Sequence, residues 1–282
     1  MSAPDDRDDD HDDHDDERQE RPRAELPERP HATRLIYGMQ PAREAIAVHG
    51  AKLKRVLVEQ RPREAEQFEA IARFARDRGA PVQRVDRGTL DRLAHGERHQ
   101  GVIVEAPPFV LLDPKTLMMV PEGAPPPLLI ALDELTDPQN FGAIVRSAVA
   151  LGATGVAWPE DRSAPLSGAM VRASAGAVEH ARLCRVRSLP RLLSDLAEGG
   201  LSVIGLDTAT PTHLHELPLT GPVALVVGAE GKGLRKATKH ACTGLARLTM
   251  PGPIASLNAS VAAALALYEV VRQRAGVSSN AR

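Results

Sequence analysis

Two rhythms of apolar residues alternate along this chain. Residues 128–132 (LLIAL) and 223–227 (VALVV) are continuous apolar runs, the pattern of strands covered on both faces. Residues 141–151 place Phe141, Ile144, Val145, Ala148 and Val149 on one face and stop at Gly152, which predicts a helix. Strands are predicted at residues 155–158, 181–186 and 201–206, and helices at 168–175 and 189–198. Upstream, the pattern predicts helices at 40–48, 64–78 and 89–95, the last starting near Gly88 or Thr89. The strands predicted there are 55–59, 82–85 and 100–106. Strands that alternate with helices predict an α/β fold with a mainly parallel sheet.

One stretch closes the pattern. Residues 248–274 open on an apolar tail, break at Pro251-Gly252-Pro253, tighten through Ser256-Leu257-Asn258 and continue as an Ala-rich helix. Asn258 is placed to cap that helix. Val261, Leu265, Tyr268 and Arg272 share one stripe, and Ala262, Ala263, Ala264 and Ala266 leave room for close packing.

Polar and proline-rich segments divide the chain. Residues 1–33 carry 13 acids against 5 bases and almost no apolar residue, so they predict a disordered acidic tail. His11 and His14 among its aspartates fit a solvated tail better than a metal site, and no metal is expected. Residues 34–107 form a small α/β unit, and 108–127, with Pro114, Pro121 and Pro125-Pro126-Pro127, a linker that is semi-rigid where prolines cluster. The main domain is expected at 128–275, with a flexible tail at 276–282.

Charge and cysteine content narrow the class. The net charge of −2 hides a basic body, because residues 34–282 carry 30 bases against 24 acids. That surplus suits an anionic partner. Arg73, Arg76 and Arg78 on the helix at 64–78 fit RNA contact and a solvated face equally well. Cys184 and Cys242, with no CxxC, favour a reducing, cytoplasmic setting. No apolar run reaches membrane-spanning length and the N-terminus lacks a signal-peptide pattern, so no membrane partner is expected.

Three sets of residues could carry chemistry. The first, DELTDPQNFGAIVRSA at 133–148, leaves a buried strand and places Asn140, Gly142 and Arg146 around a helix start, where ligands sit in α/β sheets. The second, VGAEGKGLR at 227–235, has glycines that let a ligand approach the backbone. Its spacing is neither the dinucleotide fingerprint nor a P-loop, since Leu234 follows where Ser or Thr is needed. The third is the loop with Ser256 and Asn258. Each alone also fits a structural role: an Asn cap with a surface Arg, a glycine-rich turn, a helix-start cap.

Taken in order, DPQNFGAIVRSA, VVGAEGKGL and MPGPIASLNASVAAALALYE resemble the three motifs of the SpoU, or TrmH, family of RNA ribose 2′-O-methyltransferases. The resemblance spans residues 128–274. Tyr37-Gly38-Met39, Arg43-Glu44-Ala45 and His99-Gln100-Gly101-Val102 are similar to the small substrate-binding domain of many members. This two-domain plan resembles that of bacterial 23S ribosomal RNA guanosine-2′-O-methyltransferases. One departure is visible: Leu248-Thr249-Met250 stands where the family usually has Ile-Pro-Met, with prolines at Pro251 and Pro253 instead.

The resemblance implies a SPOUT-type fold, mainly parallel, with a C-terminal trefoil knot, S-adenosyl-L-methionine as cofactor, and an active site at a homodimer interface. It implies catalytic roles for Asn140, Arg146, Glu230, Ser256 and Asn258, and cofactor contacts at Thr208, Gly228, Leu248 and Leu257. The implied substrate is a ribose 2′-OH in ribosomal RNA, a guanosine of 23S RNA. A transfer-RNA ribose methylase, a resistance-type ribosomal methylase and a non-catalytic RNA-binding protein of degenerate methyltransferase fold are the alternatives. No histidine lies in the three motifs, so a histidine base is not indicated. A guanidinium has no acceptor, so Arg146 would anchor a phosphate or orient the hydroxyl.

Overall fold

Residues 128–133 are buried without exception, and they sit at the centre of the larger of two sheets. The computed structural model of the protein describes residues 33–60 and 65–279. The acidic tail expected at residues 1–33 lies outside these apart from Thr33, and so do Glu64 and residues 280–282.

The smaller sheet is built from β1 (Arg34–Tyr37), β2 (Arg55–Glu59), β3 (Val82–Val85) and β4 (Val102–Ala106), in the order β1-β4-β2-β3. Only β2 and β3 are parallel. Its helices are α1 (Met39–His49), α2 (Ala65–Arg76) and α3 (Arg87–Ala94). The cap of α3 is Asp86, whose carboxylate accepts from the Thr89 N–H at 2.9 Å, rather than Gly88 or Thr89. An Asp placed to reach the third N–H outcompetes residues that can themselves be helical.

The larger sheet contains β5 (Leu128–Asp133), β6 (Gly155–Pro159), β7 (Leu183–Val186), β8 (Ser202–Leu206), β9 (Val223–Gly228) and β10 (Gly244–Ala246). All its pairings are parallel, in the order β10-β8-β9-β5-β6-β7. Helices α4 (Pro138–Ala150), α5 (Gly168–Ala173), α6 (Leu189–Glu198), α7 (Lys236–Ala241) and α8 (Ala259–Ser279) flank it. Leu128, Ile130 and Leu132 of β5 face the cluster with Phe141, Ile144 and Val145 of α4 and Ala263, Leu267 and Val270 of α8. Leu129 and Ala131 face the cluster with Leu189, Leu192, Leu193 and Leu196 of α6. Two covered faces explain the unbroken apolar runs. Phe141 meets Trp158 edge-on, ring centroids 5.2 Å apart.

Several sequence expectations are corrected. Helix α7 and strand β10 are absent from the sequence pattern because six and three residues are too short for a period to register. Helix α8 runs past residue 275 to Ser279, so the expected tail at 276–282 begins helical. Residues 108–127 are not a free linker throughout. Leu112 N–H donates to Leu183 O at 2.7 Å, Leu117 is fully buried, and Arg182 holds the Thr116 and Met119 carbonyls at 2.5 and 3.0 Å. Nor does the small sheet hang loose: the Arg34 guanidinium donates to both carboxylate oxygens of Glu179, at 2.6 and 2.5 Å, and His49 reaches the same carboxylate at 2.8 Å. The Glu179 side chain is shielded from solvent. Burial alone would push its carboxyl up, but the hydrogen bonds from Arg34 and His49 prevail and hold it below the usual range.

Glu105 on β4 offers a pH test. Burial raises its carboxyl, but hydrogen bonds from Lys54 (2.7 Å), Thr33 (2.6 Å) and Arg55 (2.7 Å) hold it at about 2, below the ordinary 4.5. The charged form is therefore favoured in the folded state. Its contribution is fully present above pH 4.5 and is lost as pH falls toward 2. Glu105→Gln should cost on the order of 2 kcal/mol at pH 7. The gap between its thermal midpoint and that of the wild type should close on acidification, and a constant gap would contradict the assignment.

Candidate active site

In the larger sheet the strand order reverses between β5 and β9, the position where open α/β sheets bind ligands at their carboxyl ends. Asp133 ends β5 and Gly228 ends β9, and the two are paired in register. Everything expected of the first two motifs starts here.

Pro138 can occupy only the first turn of a helix, so α4 is capped by Asp137, which accepts from Gln139 and Asn140 N–H at 3.0 and 3.2 Å. The cap is thus Asp137 and not Asn140, which sets aside the structural alternative for Asn140 and leaves its side chain for other partners. Its Oδ1 accepts from Asn258 Nδ2 at 2.9 Å. The same Asn258 amide donates to Glu230 Oε1 at 2.5 Å. One side chain of each motif thus meets at Asn258. Asn258 Oδ1 also caps α8, accepting from Ser260 N–H at 2.9 Å and Val261 N–H at 3.3 Å. Glu230 receives the Ala259 N–H at 3.3 Å, so a carboxylate sits at the positive end of a long helix.

Gly142 on α4 has a packing reason. A Cβ there would lie 2.6 Å from Ala173 Cβ and 2.6 Å from the Met170 carbonyl, so only glycine lets α4 rest on α5.

Two cavities open beside Glu230 of this polar trio. The first is lined by Thr208, Gly228, Leu248 and Leu257, together with Glu230 and Ser256. The four residues expected to contact cofactor therefore share one cavity wall. Ser256 is exposed and stays outside the Asn258 network. Asp207, Arg247 and Met250 also line this cavity and were missed from sequence. Asp207 is neutralised by Lys239 at 2.6 Å, and that hydrogen bond lowers its carboxyl. The second cavity is lined by Glu134, Asp137, Asn140, Arg162, Glu230 and Lys232 among others. Ala229 and Glu230 belong to both walls.

Sequence reasoning also missed Asp133 and Arg235. Asp133 is buried and accepts from the Arg235 backbone N–H at 2.9 Å, Nε at 2.8 Å and Nη2 at 2.6 Å. Those bonds raise the Arg235 guanidinium and pin the 228–235 loop to β5. A buried aspartate 102 positions before its partner left no local signal. Arg146 is not brought to Asn140, Glu230 and Asn258. It is exposed on α4, with no ion pair among the described residues. The stripe Val261, Leu265 and Tyr268 likewise faces outward, at 46, 47 and 57% exposure, while α8 buries Ala263, Ala266, Leu267 and Val270.

Known proteins share this fold. SpoU methyltransferase AviRb from Streptomyces viridochromogenes, solved in complex with AdoMet, superposes with a TM-score of 0.69 at 27% identity, covering 86% of this chain and 91% of that one. A structure described as an RNA 2′-O ribose methyltransferase gives 0.67 at 27% identity, covering 86% and 89%. A tRNA/rRNA methyltransferase of Mycobacterium avium (strain 104), itself called uncharacterized, is 43% identical over 208 residues, 74% of this chain and 67% of that protein. The chain thus spans about two thirds of the length of that relative. Residues 35–110 match the RNA 2′-O ribose methyltransferase substrate-binding model, and residues 127–268 match that of the SpoU rRNA methylase family. The motifs that meet at Asn258 and the likeness carried across both sheets place the chain in the SpoU rRNA methylase family.

Proposed function

We propose that this protein transfers a methyl group to a ribose 2′-OH of ribosomal RNA, at a guanosine of 23S RNA, in the cytoplasm. It is a SpoU-family RNA methyltransferase whose cofactor is S-adenosylmethionine. The observation that carries the reading is the Asn140–Asn258–Glu230 trio, whose Glu230 lines both cavities.

The first cavity suits the cofactor. Its wall is backbone at Gly228–Gly231 and apolar at Leu248, Met250 and Leu257, and its one aspartate is neutralised by Lys239. The cofactor supplies a methyl group already activated on a cationic sulfur. The chain's own residues therefore contribute orientation. Asn258 is held by two acceptors and cannot rotate freely, so it fixes the edge of the ribose site. Glu230 ties the second motif to the start of α8. Ser256 belongs to the cofactor wall.

Arg146 acts from a partner copy in this reading. Its exposure on α4, together with the outward apolar stripe of α8, the helix packed on α4, supports a homodimer that carries each Arg146 to the other copy's second cavity. There it would hold the phosphate beside the target ribose. The trefoil knot implied for residues 248–274 belongs to the same proposal, which fits α8 packing its buried face onto α4 and β9.

Residues 34–107 would hold RNA, residues 108–127 connect, and residues 128–275 carry the chemistry. Phe74 on α2 lies between two guanidiniums, Arg78 at 3.7 Å and Arg43 at 5.1 Å from its ring centroid. Aromatic stacking holds both cations ready for phosphates without reading sequence.

The test is to map 2′-O-methylation across total RNA with and without this protein, and then to supply purified 23S RNA and transfer RNA in vitro. One missing mark on a 23S guanosine is expected. A mark lost from transfer RNA would transfer the proposal to the alternative substrate, and S-adenosylmethionine binding with no lost mark would end the catalytic reading.

A further inference from the structure

The loop that closes the first cavity is tied down at one point. After β10 the chain runs extended through Arg247, Leu248, Thr249 and Met250. Arg247, Leu248 and Met250 line the cavity and Thr249 does not. Among the described residues, Thr249 makes all of the hydrogen bonds formed by residues 248–257.

Its hydroxyl lies between two imidazoles, 2.9 Å from His213 Nδ1 and 3.2 Å from His215 Nδ1. The rings are 5.4 Å apart. Arg247 Nη2 lies 3.1 Å from His213 Nε2. The two segments are also joined by backbone: Leu214 N–H donates to Arg247 O and Arg247 N–H to Thr212 O, both at 2.9 Å.

Chemistry fixes the direction of this chain of bonds. A guanidinium only donates, so His213 Nε2 accepts. The His213 proton then sits on Nδ1 and is donated to Thr249 Oγ1. The Thr249 hydroxyl has one proton left to give, and His215 Nδ1 accepts it. Every bond is satisfied when both rings are neutral.

We propose that Arg247, His213, Thr249 and His215 form a proton-sensitive latch that holds the cofactor loop in its binding course. The proposal rests on the reading that the first cavity takes S-adenosylmethionine. A second proton on His213 turns Nε2 into a donor facing the Arg247 cation and breaks the first bond. A proton on His215 Nδ1 removes the acceptor for Thr249. Three further charged groups face the rings. Glu216 Oε2 accepts the His213 backbone N–H at 3.0 Å, and Glu269 of α8 stands toward His215 while paired to Arg272 at 2.7 Å. Glu269 favours a proton on His215 and the Arg247 cation opposes one on His213, so His215 is the sensitive ring. Thr249, His213 and His215 are positioning residues, acting on the cofactor through the loop.

The experiment is isothermal titration of S-adenosylmethionine into the full chain between pH 5.5 and pH 8, with circular dichroism melts to confirm folding. At pH 7.5, Thr249→Val should weaken binding by about 5- to 10-fold, as expected for one lost tether. Thr249→Ser, which keeps the hydroxyl, should stay within about twofold. The wild type should lose affinity toward the acid end of that range, as an imidazole takes up a proton. His215→Gln, which cannot gain charge, should show a flatter profile. The ligand's own titration is common to all and cancels in the ratio. Wild-type affinity in Thr249→Val, or parallel profiles for wild type and His215→Gln, would overturn the latch while leaving the cofactor reading intact. No binding by the wild type at any pH would overturn both.

Discussion

Arg146→Ala should lower kcat/KM for RNA methylation by about 100-fold and leave S-adenosylmethionine affinity unchanged. The side chain is exposed on α4 and lines neither cavity of its own chain, so its removal creates no void and breaks no described ion pair. Thermal stability should therefore stay within about 0.5 kcal/mol of the wild type. Arg146→Lys keeps the charge but loses the two-pronged donor, and should recover only part of the activity. The assignment to the partner's site has its own measurement. Mixing Arg146→Ala with an inactive Asn258→Ala variant should restore activity in mixed dimers, because one intact site re-forms. No recovery on mixing would place Arg146 in its own chain's site, and wild-type turnover by Arg146→Ala would remove it from the reaction.

Gly228→Ala should abolish measurable S-adenosylmethionine binding, a loss of about 100-fold or more. A Cβ on Gly228 would stand 2.3 Å from Gly233 C, 2.4 Å from its carbonyl oxygen and 2.6 Å from Leu234 N. All three contacts are backbone, so no side chain can rotate away. The opposing segment is held by Gly233 N–H to Ala229 O at 2.9 Å and by Arg235 on buried Asp133. Relief must come from displacement of the 229–233 loop, which forms the cavity wall. The strand pairs of β9 on either side stay intact, so the loss of stability should be about 1–3 kcal/mol rather than unfolding. Titration and a melt on the same sample check both statements. Normal cofactor affinity would show that this loop does not form the binding wall.

Much of this was open to reading before any coordinate. The buried runs at β5 and β9, the helices α4 and α6 and the three motifs are local patterns, each complete within a few turns or strand residues. Asn258 was legible as a cap and as a motif residue, and it serves as the cap while its amide joins Asn140 to Glu230. Other features carried no such sign. Thr249 stood out only as a departure from a family pattern, and its imidazole partners lie 34 and 36 positions earlier. Asp133 reads in sequence as the first residue of a polar turn, and the arginine it holds as the tail of a glycine-rich one.

By itself the sequence determined the class of fold, the alternation of elements and the residues that belong to one chemistry. Those follow from period, burial pattern and turn chemistry, which act over a few residues. The tertiary structure alone decided which side chains meet. It set Asn140, Glu230 and Asn258 together while leaving Arg146 outside, docked the small sheet through Arg34 and Glu179, and turned the Val261–Tyr268 stripe outward. The reason is physical: contact between residues far apart in sequence depends on strand order and helix packing, which the whole core fixes together. The loop at residues 248–257 and the helix after it show both halves of this. Its cap and small residues are written locally, whereas the cavity it closes exists only where β9, β10 and α8 come together.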